Sequence, residues 1–154
     1  MAALRIRRMG EADLERVMEI GASLPEAPQW PASAYGAAID SLHVPRRIAM
    51  VAADARNGGL LGFLVAGIAA PEAELETIAV SAEAQRRGVG GLLLRALVEE
   101  LRAERVTELI LEVRASNRAA LAFYQAQGFK ETGRRPRYYA DPEEDAVLMG
   151  LNLG

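Results

Sequence analysis

The chain has 154 residues, of which 51% are apolar and 25% charged, with a net charge of −3. That length and that apolar share suit one domain with a packed core, spanning residues 1–154, and exclude a largely disordered chain. With no cysteine and a single histidine, His43, disulfides, thiolate metal sites, a cysteine nucleophile and an acyl-cysteine intermediate are excluded, and no histidine-rich metal site is expected.

Leu4 and Ile6 suggest an opening strand. Glu11 and Asp13 suit the first turn of a helix whose face carries Leu14, Val17, Met18 and Gly21. The three prolines between Leu24 and Pro31 predict a loop holding Trp30, followed by a short helix over Ala32–Leu42. Residues 48–52 and 60–69 read as antiparallel strands joined at Asn57-Gly58-Gly59, a sequence that tolerates positive φ. Leu75–Val80 is strand-like. Gly88–Glu104 is an amphipathic helix with Val89, Leu92, Leu93, Ala96, Leu97 and Leu101 as its apolar stripe. Leu109–Val113 reads as a strand buried on both faces, and Ser116 as the N-cap of a helix that runs through Gln127 and stops at Gly128. Phe129–Arg135 and Ala146–Leu153 close the chain as paired strands across a loop centred on Asp141-Pro142. No repeat or linker divides this mixed α/β pattern. No apolar run is long enough for a membrane span, and Met1–Leu4 runs into Arg5 and Arg7 without a signal-peptide core, so no membrane role and a cytoplasmic location are expected. The net charge offers no global attraction to nucleic acid, and no direct nucleic-acid partner is expected.

Gln85-Arg86-Arg87-Gly88-Val89-Gly90-Gly91 falls between a strand and the start of a long helix, where unpaired backbone N–H groups and the helix dipole favour an anion. It lacks the lysine and hydroxyl residue of a phosphate-binding P-loop and the glycine spacing of a dinucleotide fold. A tight turn alone would also account for these glycines. Glu112 interrupts an otherwise apolar strand; it is a candidate base or, alternatively, an outward-facing or ion-paired side chain. Glu76 is a competing base, since it should share a strand face with Ile78. Trp30, Tyr138 and Tyr139 could wall a binding site for a peptide terminus. Glu143, Glu144 and Asp145 could attract a basic peptide or form a solvated charge run.

QRRGVG fits the acetyl-CoA motif of the GCN5-related N-acetyltransferase (GNAT) superfamily, and LEVRASNRAALAFYQAQGF fits its second block through Asn117, Ala120, Tyr124 and Gly128-Phe129. More narrowly, LETIAV, LEVRASN, AFYQAQGF and RPRYYADPEEDAVLM resemble the branch that acetylates the N-terminal alanine of ribosomal proteins. The likeness spans roughly residues 72–153. It implies a mixed, mostly antiparallel central sheet flanked by helices, with the fourth and fifth strands splayed to admit the pantetheine arm of acetyl-CoA. It places Ile78, Ala79 and Val80 against acetyl-pantetheine, Arg86, Arg87, Gly88, Val89, Gly90 and Gly91 around the pyrophosphate, and Asn117 on the pantetheine or phosphate region. It also makes Glu112 a general base and Tyr124 the proton donor to the leaving thiolate, with no metal. The implied partner is a protein N-terminus, that of a ribosomal protein. Another N-terminus, a small amine, or acetyl-CoA binding without catalysis are the alternatives. With no cysteine, acetyl transfer would proceed by direct attack in a ternary complex, and the charged oxygen would meet N–H groups of the fourth strand, Val80 among them.

Overall fold

The computed structural model describes residues 3–140 and 142–154, so Asp141, at the centre of the expected last loop, lies outside the described residues. Seven strands form one sheet in the order β1-β2-β3-β4-β5-β7-β6: β1 (Leu4–Arg8), β2 (Arg47–Asp54), β3 (Leu60–Ala69), β4 (Glu72–Val80), β5 (Glu108–Arg114), β6 (Lys130–Tyr139) and β7 (Glu144–Asn152). Neighbours are antiparallel except β4 and β5, which run parallel. Four helices flank it: α1 (Leu14–Ser23), α2 (Ala32–Ile39), α3 (Val89–Ala103) and α4 (Arg118–Ala126). Among the described residues no helix is long and apolar enough to cross a membrane.

The period-two alternation of the strands feeds two cores. Ile48, Met50 and Leu64 turn toward α3 and α4 and join Leu93, Leu97, Leu101, Leu109 and Met149. Ala49, Val51, Phe63 and Val65 turn the other way, onto Val17 and Ile20 of α1 and Tyr35 of α2. β2 is covered on both sides, which is why it reads as an unbroken apolar run.

Several expectations are corrected. The buried face of α3 is Val89, Leu93, Leu94, Leu97 and Leu101, with Leu92 and Ala96 half-exposed at its margin; the helix sits on its i, i+4 row. In α1, Ile20 is buried with Val17 and Gly21. α2 ends at Ile39 because Asp40 turns the chain: its carboxylate accepts from Leu42 N–H (2.9 Å) and its carbonyl from His43 N–H (3.1 Å). Asn117, not Ser116, caps α4, its Oδ1 accepting from Ala120 N–H at 3.1 Å. β4 starts at Glu72 and carries a bulge at Glu76, where the partners of Val65 and Ala66 jump from Thr77 to Leu75.

β5 departs most usefully. Leu109, Leu111 and Val113 are buried beneath α3 and α4, but Glu108, Ile110, Glu112 and Arg114 alternate with them and are half-exposed. The second core draws its residues from α1, α2, β2, β3 and β4, and leaves that face of β5 outside it. β4 and β5 pair only at Glu72 with Glu108, Ala73 with Leu109 and Glu74 with Ile110; beyond those rungs the strands part. β5 instead runs its full length against β7.

At the start of α1, Asp13 accepts two hydrogen bonds from Arg7 (2.7 and 2.9 Å) and one from Gly10 N–H (2.8 Å). The Arg7 hydrogen bonds hold its carboxyl below the ordinary value, against the opposing pull of burial. A depressed carboxyl adds stability that is present above the unfolded-state pKa and is lost as the pH falls through the folded one. Asp13→Asn is expected to cost about 1–2 kcal/mol at neutral pH. That loss should shrink as the pH falls below the ordinary carboxyl pKa of 3.8, as measured by urea unfolding at pH 7 and pH 3.

Candidate active site

The parting of β4 from β5 sets the site. Ser81 N–H donates to Leu61 O at 2.8 Å, so the antiparallel alternation with β3 turns the backbone groups of Val80 and Ile78 the other way, into the split. Gln85 Nε2 donates to the Val80 carbonyl at 3.2 Å, tying the loop before α3 to the end of β4.

That loop presents donors. Gly88 is the N-cap of α3 at φ +78°, a conformation costly for any residue with a Cβ, and Arg86 also has positive φ at +67°. The first helical bond runs from Leu92 N–H to Gly88 O. Among the described residues, the amides of residues 86–91 donate to no backbone or side-chain acceptor. Loop and helix start therefore turn unpaired N–H groups outward together, an arrangement suited to an anion. A Cβ on Gly88 would meet nothing within 4 Å, so that glycine answers to its φ. Gly90 has a different cause: a Cβ there would lie 3.0 Å from Phe123 Cζ, so α3 and α4 pack closely only because it is absent. Of the arginines, Arg87 lies near Asp54 of β2, whose carboxyl it helps to lower, the main cause there being the Arg56 backbone N–H.

Glu112 stands on the half-exposed face of β5. Arg135 of β6 reaches it across β7, with Nη2 3.3 Å from Oε1. Glu74, at the last paired rung, lies on this same side of β4, since Ala73 and Leu75 turn toward α3. Its carboxyl is raised by loss of solvation and then by the Glu112 and Glu76 carboxylates, with Arg135 opposing. Glu76 is corrected. The bulge puts its carboxylate over Gly67, on the side of α1 and α2, whereas Ile78 packs against the α3 and α4 core. There Arg47 binds it with two hydrogen bonds, at 2.8 and 3.2 Å. A carboxylate engaged twice by a guanidinium is a poor base. Thr77, next along β4, carries a buried hydroxyl with no hydrogen-bond partner among the described residues.

Tyr124 occupies the opposite face. Its ring packs edge-on to Phe123 and Phe129, at centroid distances of 5.3 and 5.6 Å, against the core that receives Ile78 and Val80. Burial pushes its phenol up to about 12. The carboxylate and the phenol thus approach the split from opposite sides of the sheet.

Trp30 is half-buried and leans on Tyr35 at 5.2 Å, which meets Phe63 edge-on at 5.7 Å, so it is anchored to the α1 and α2 core. Tyr138 is 49% exposed, with the Arg135 guanidinium 5.2 Å from its ring centre. Tyr139 lies under Arg114 at 4.4 Å. The acidic run is engaged within the protein: Glu144 binds Arg114 of β5 and Ser116 of the loop after it (3.0 and 3.1 Å), while within the hairpin Asp145 accepts from Arg137 N–H (3.1 Å) and Glu143 lies 3.5 Å from Arg137. Arg135 and Glu74 are the site residues that sequence reasoning missed. Arg135 lay within the RPRYY stretch, but its partner is more than twenty positions away.

The family model described as Acetyltransferase (GNAT) family matches residues 14–129. The [ribosomal protein bS18]-alanine N-acetyltransferase of Escherichia coli K12 is 44% identical over 100 residues, covering 64% of this chain and 68% of that protein. The N-alpha-acetyltransferase RimI of Mycobacterium tuberculosis is 36% identical over 155 aligned positions, covering 97% and 92%. The crystal structure of the ribosomal-protein-S18-alanine N-acetyltransferase from E. coli superposes with a TM-score of 0.81 at 33% identity, covering 99% of this chain and 95% of that one.

Because burial opposes the phenolate, alkaline difference spectroscopy is expected to show one of the four tyrosines titrating near pH 12. Tyr124→Phe should remove that step and leave the others in place. Separately, Gly90→Val is expected to lower stability by about 1–3 kcal/mol through the clash with Phe123, read as a drop in the thermal midpoint.

Proposed function

We infer that this chain, which belongs to the acetyltransferase (GNAT) family and is an N-acetyltransferase, moves the acetyl group of acetyl-CoA onto the α-amine of a protein N-terminus. Its acceptor, on this reading, is a ribosomal protein that begins with alanine, as the names of its relatives state for theirs. The observation that carries the reading is the split between β4 and β5, with Glu112 on one face and Tyr124 on the other. One face can receive the donor and the other the acceptor, so the reacting atoms meet within the sheet and no covalent enzyme intermediate is needed.

The residues fit the donor. The N–H groups of residues 86–91, at a helix start held open by Gly88, suit a diphosphate, with Arg86 and Arg87 adding charge. Asn117 has one amide atom engaged as a cap and the other free for the pantetheine or phosphate region. The edge of β4 from Ile78 to Val80 offers backbone groups to an amide-bearing arm, and the Val80 N–H is aimed where the thioester oxygen would gain negative charge.

On the acceptor side, Trp30 and the Tyr138-Tyr139 pair wall the approach, and Glu112 takes the proton of the incoming ammonium, directly or through water. An α-amine with a pKa near ~8 needs far less help than a lysine near ~10.4. Tyr124 keeps its proton throughout the neutral range and gives it to the departing sulfur. The burial that makes the phenol a weaker acid would also make a thiolate beside it a stronger base, so the pair stays matched.

Incubation with acetyl-CoA and peptides of differing first residue, alongside N-blocked lysine peptides, with mass spectrometry of the products, tests the acceptor. Label on the α-amine, greatest for alanine, is expected; label only on lysine side chains or small amines would overturn the reading. Tyr124→Phe should lower turnover on the order of 10²-fold, with little change in acetyl-CoA affinity. Glu112→Gln should depress the rate most at low pH, where the amine is least often neutral; an unchanged profile would remove its role as base.

A further inference from the structure

We propose that Arg135 is a positioning residue for the transfer: it sets a positive charge against the Glu112 carboxylate and aims it at the β4–β5 opening, and is itself held by the face of Tyr138. The proposal rests on the reading of Glu112 as the base and deepens it.

Groups from three strands face Glu112. From β6 comes Arg135, at 3.3 Å. From β4 comes Glu74, a like charge at the last rung before the strands part, with Glu76 beyond it neutralised by Arg47. From β7 comes uncharged Leu148, directly opposite in register. Tyr139 also lies near it, and the Glu112 charge helps to raise that phenol after the larger effect of burial, while Arg114, two residues along β5 on the same face, is taken by Glu144 and the Tyr139 ring. Arg135 is thus the cation that ion-pairs with Glu112 among the described residues. Without it, two carboxylates would share the mouth of the split, and one of them would favour the protonated form.

Geometry separates this pair from the one at Glu76. Arg47 engages both oxygens of Glu76 and is only 21% exposed; Arg135 approaches one oxygen of Glu112 and is 53% exposed. At 3.3 Å, with no hydrogen bond between the two side chains among the described residues, the guanidinium keeps its charge beside the carboxylate without occupying it as Arg47 occupies Glu76. A long, exposed side chain needs a second hold to stay in place, and the Tyr138 ring, 5.2 Å from the guanidinium carbon, supplies it. The chain around Tyr138 is built for this. The pairing of β6 with β7 jumps between Arg135 and Tyr139, and within that jump Arg137 takes φ +54° while its N–H binds Asp145. That irregularity brings Tyr138 back over Arg135. A peptide terminus laid against Tyr138 would therefore touch the aromatic that fixes the base's partner.

The test is turnover at saturating alanine peptide as a function of pH, for Arg135→Gln, Arg135→Lys, Tyr138→Leu and Glu112→Gln. Arg135→Gln is expected to move the acid limb of the profile upward by about one pH unit, the low end for loss of an opposite charge at this range and exposure. At pH values on that limb, turnover should fall on the order of 10-fold, with little change above it. Arg135→Lys should restore the limb, because it restores the charge, while Tyr138→Leu should move it part of the way. In the Arg135→Gln, Glu112→Gln double variant the arginine change should have no further effect. A limb that stays in place in Arg135→Gln, while Glu112→Gln abolishes it, overturns the proposal and leaves the base intact. A limb unaffected by Glu112→Gln overturns both. Equal shifts in the Lys and Gln variants would show that charge is not the cause, and also overturn it.

Discussion

The structure depends on a pairing that stops. β4 and β5 are parallel neighbours for the length of Glu72–Glu74 against Glu108–Ile110 and then separate. An interrupted ladder leaves backbone donors and acceptors without partners, which costs free energy unless something else satisfies them. The fold tolerates the gap because each strand is secured on its other side, β4 by β3 and β5 by β7 along its full length. The vacancy in hydrogen bonding is confined to one crevice, and a ligand with amide groups is its natural partner.

From that gap follows the two-sided layout. The core against α3 and α4 extends past the split to β7, whereas the core against α1 and α2 ends at β4. The side chains of β5 therefore experience two environments in alternation. Val113 is buried, and Glu112 is left in partial contact with water, where a carboxylate can stay charged. Tyr124, on the covered side, is surrounded by aromatic rings and keeps its proton. One sheet thus keeps a carboxylate and a phenol apart by giving each a different solvent exposure.

Much of this was legible because it is local. The turn, glycine and helix start from Gln85 to Gly91 occupy one continuous stretch, and the apolar period of α3 is carried by adjacent turns. Glu112 stood out as a charge in an apolar run, although the reason it stands there is alternation and not burial on both faces. What escaped was set by register. Glu76 was assigned to the face of Ile78 by counting in twos, and one extra residue in β4 reverses that count. Arg135 meets Glu112 only because β7 inserts between β5 and β6. The cap of α4 was assigned to Ser116 and is made by Asn117. Neither the bulge nor the cross-strand pair has a signature within a window of a few residues; the cap does, and it lies one residue beyond Ser116.

The two arginine–glutamate pairs at the centre of the sheet show how the same chemistry can serve opposite ends. Arg47 and Glu76 lie at comparable exposure, 21% and 19%, and satisfy each other through two hydrogen bonds, which fixes the bulge and leaves little for a substrate. Arg135 and Glu112 differ in exposure, 53% against 20%, and share one contact. An ion pair of that kind adds little stability, since the exposed partner is well solvated either way. Its effect is instead on the carboxylate, which gains a nearby positive charge at the point where Glu74 brings a negative one. The two pairs on one face thereby divide between closure and access: the closed pair holds the strand in shape, and the open pair leaves a half-exposed carboxylate at the crevice that shape creates.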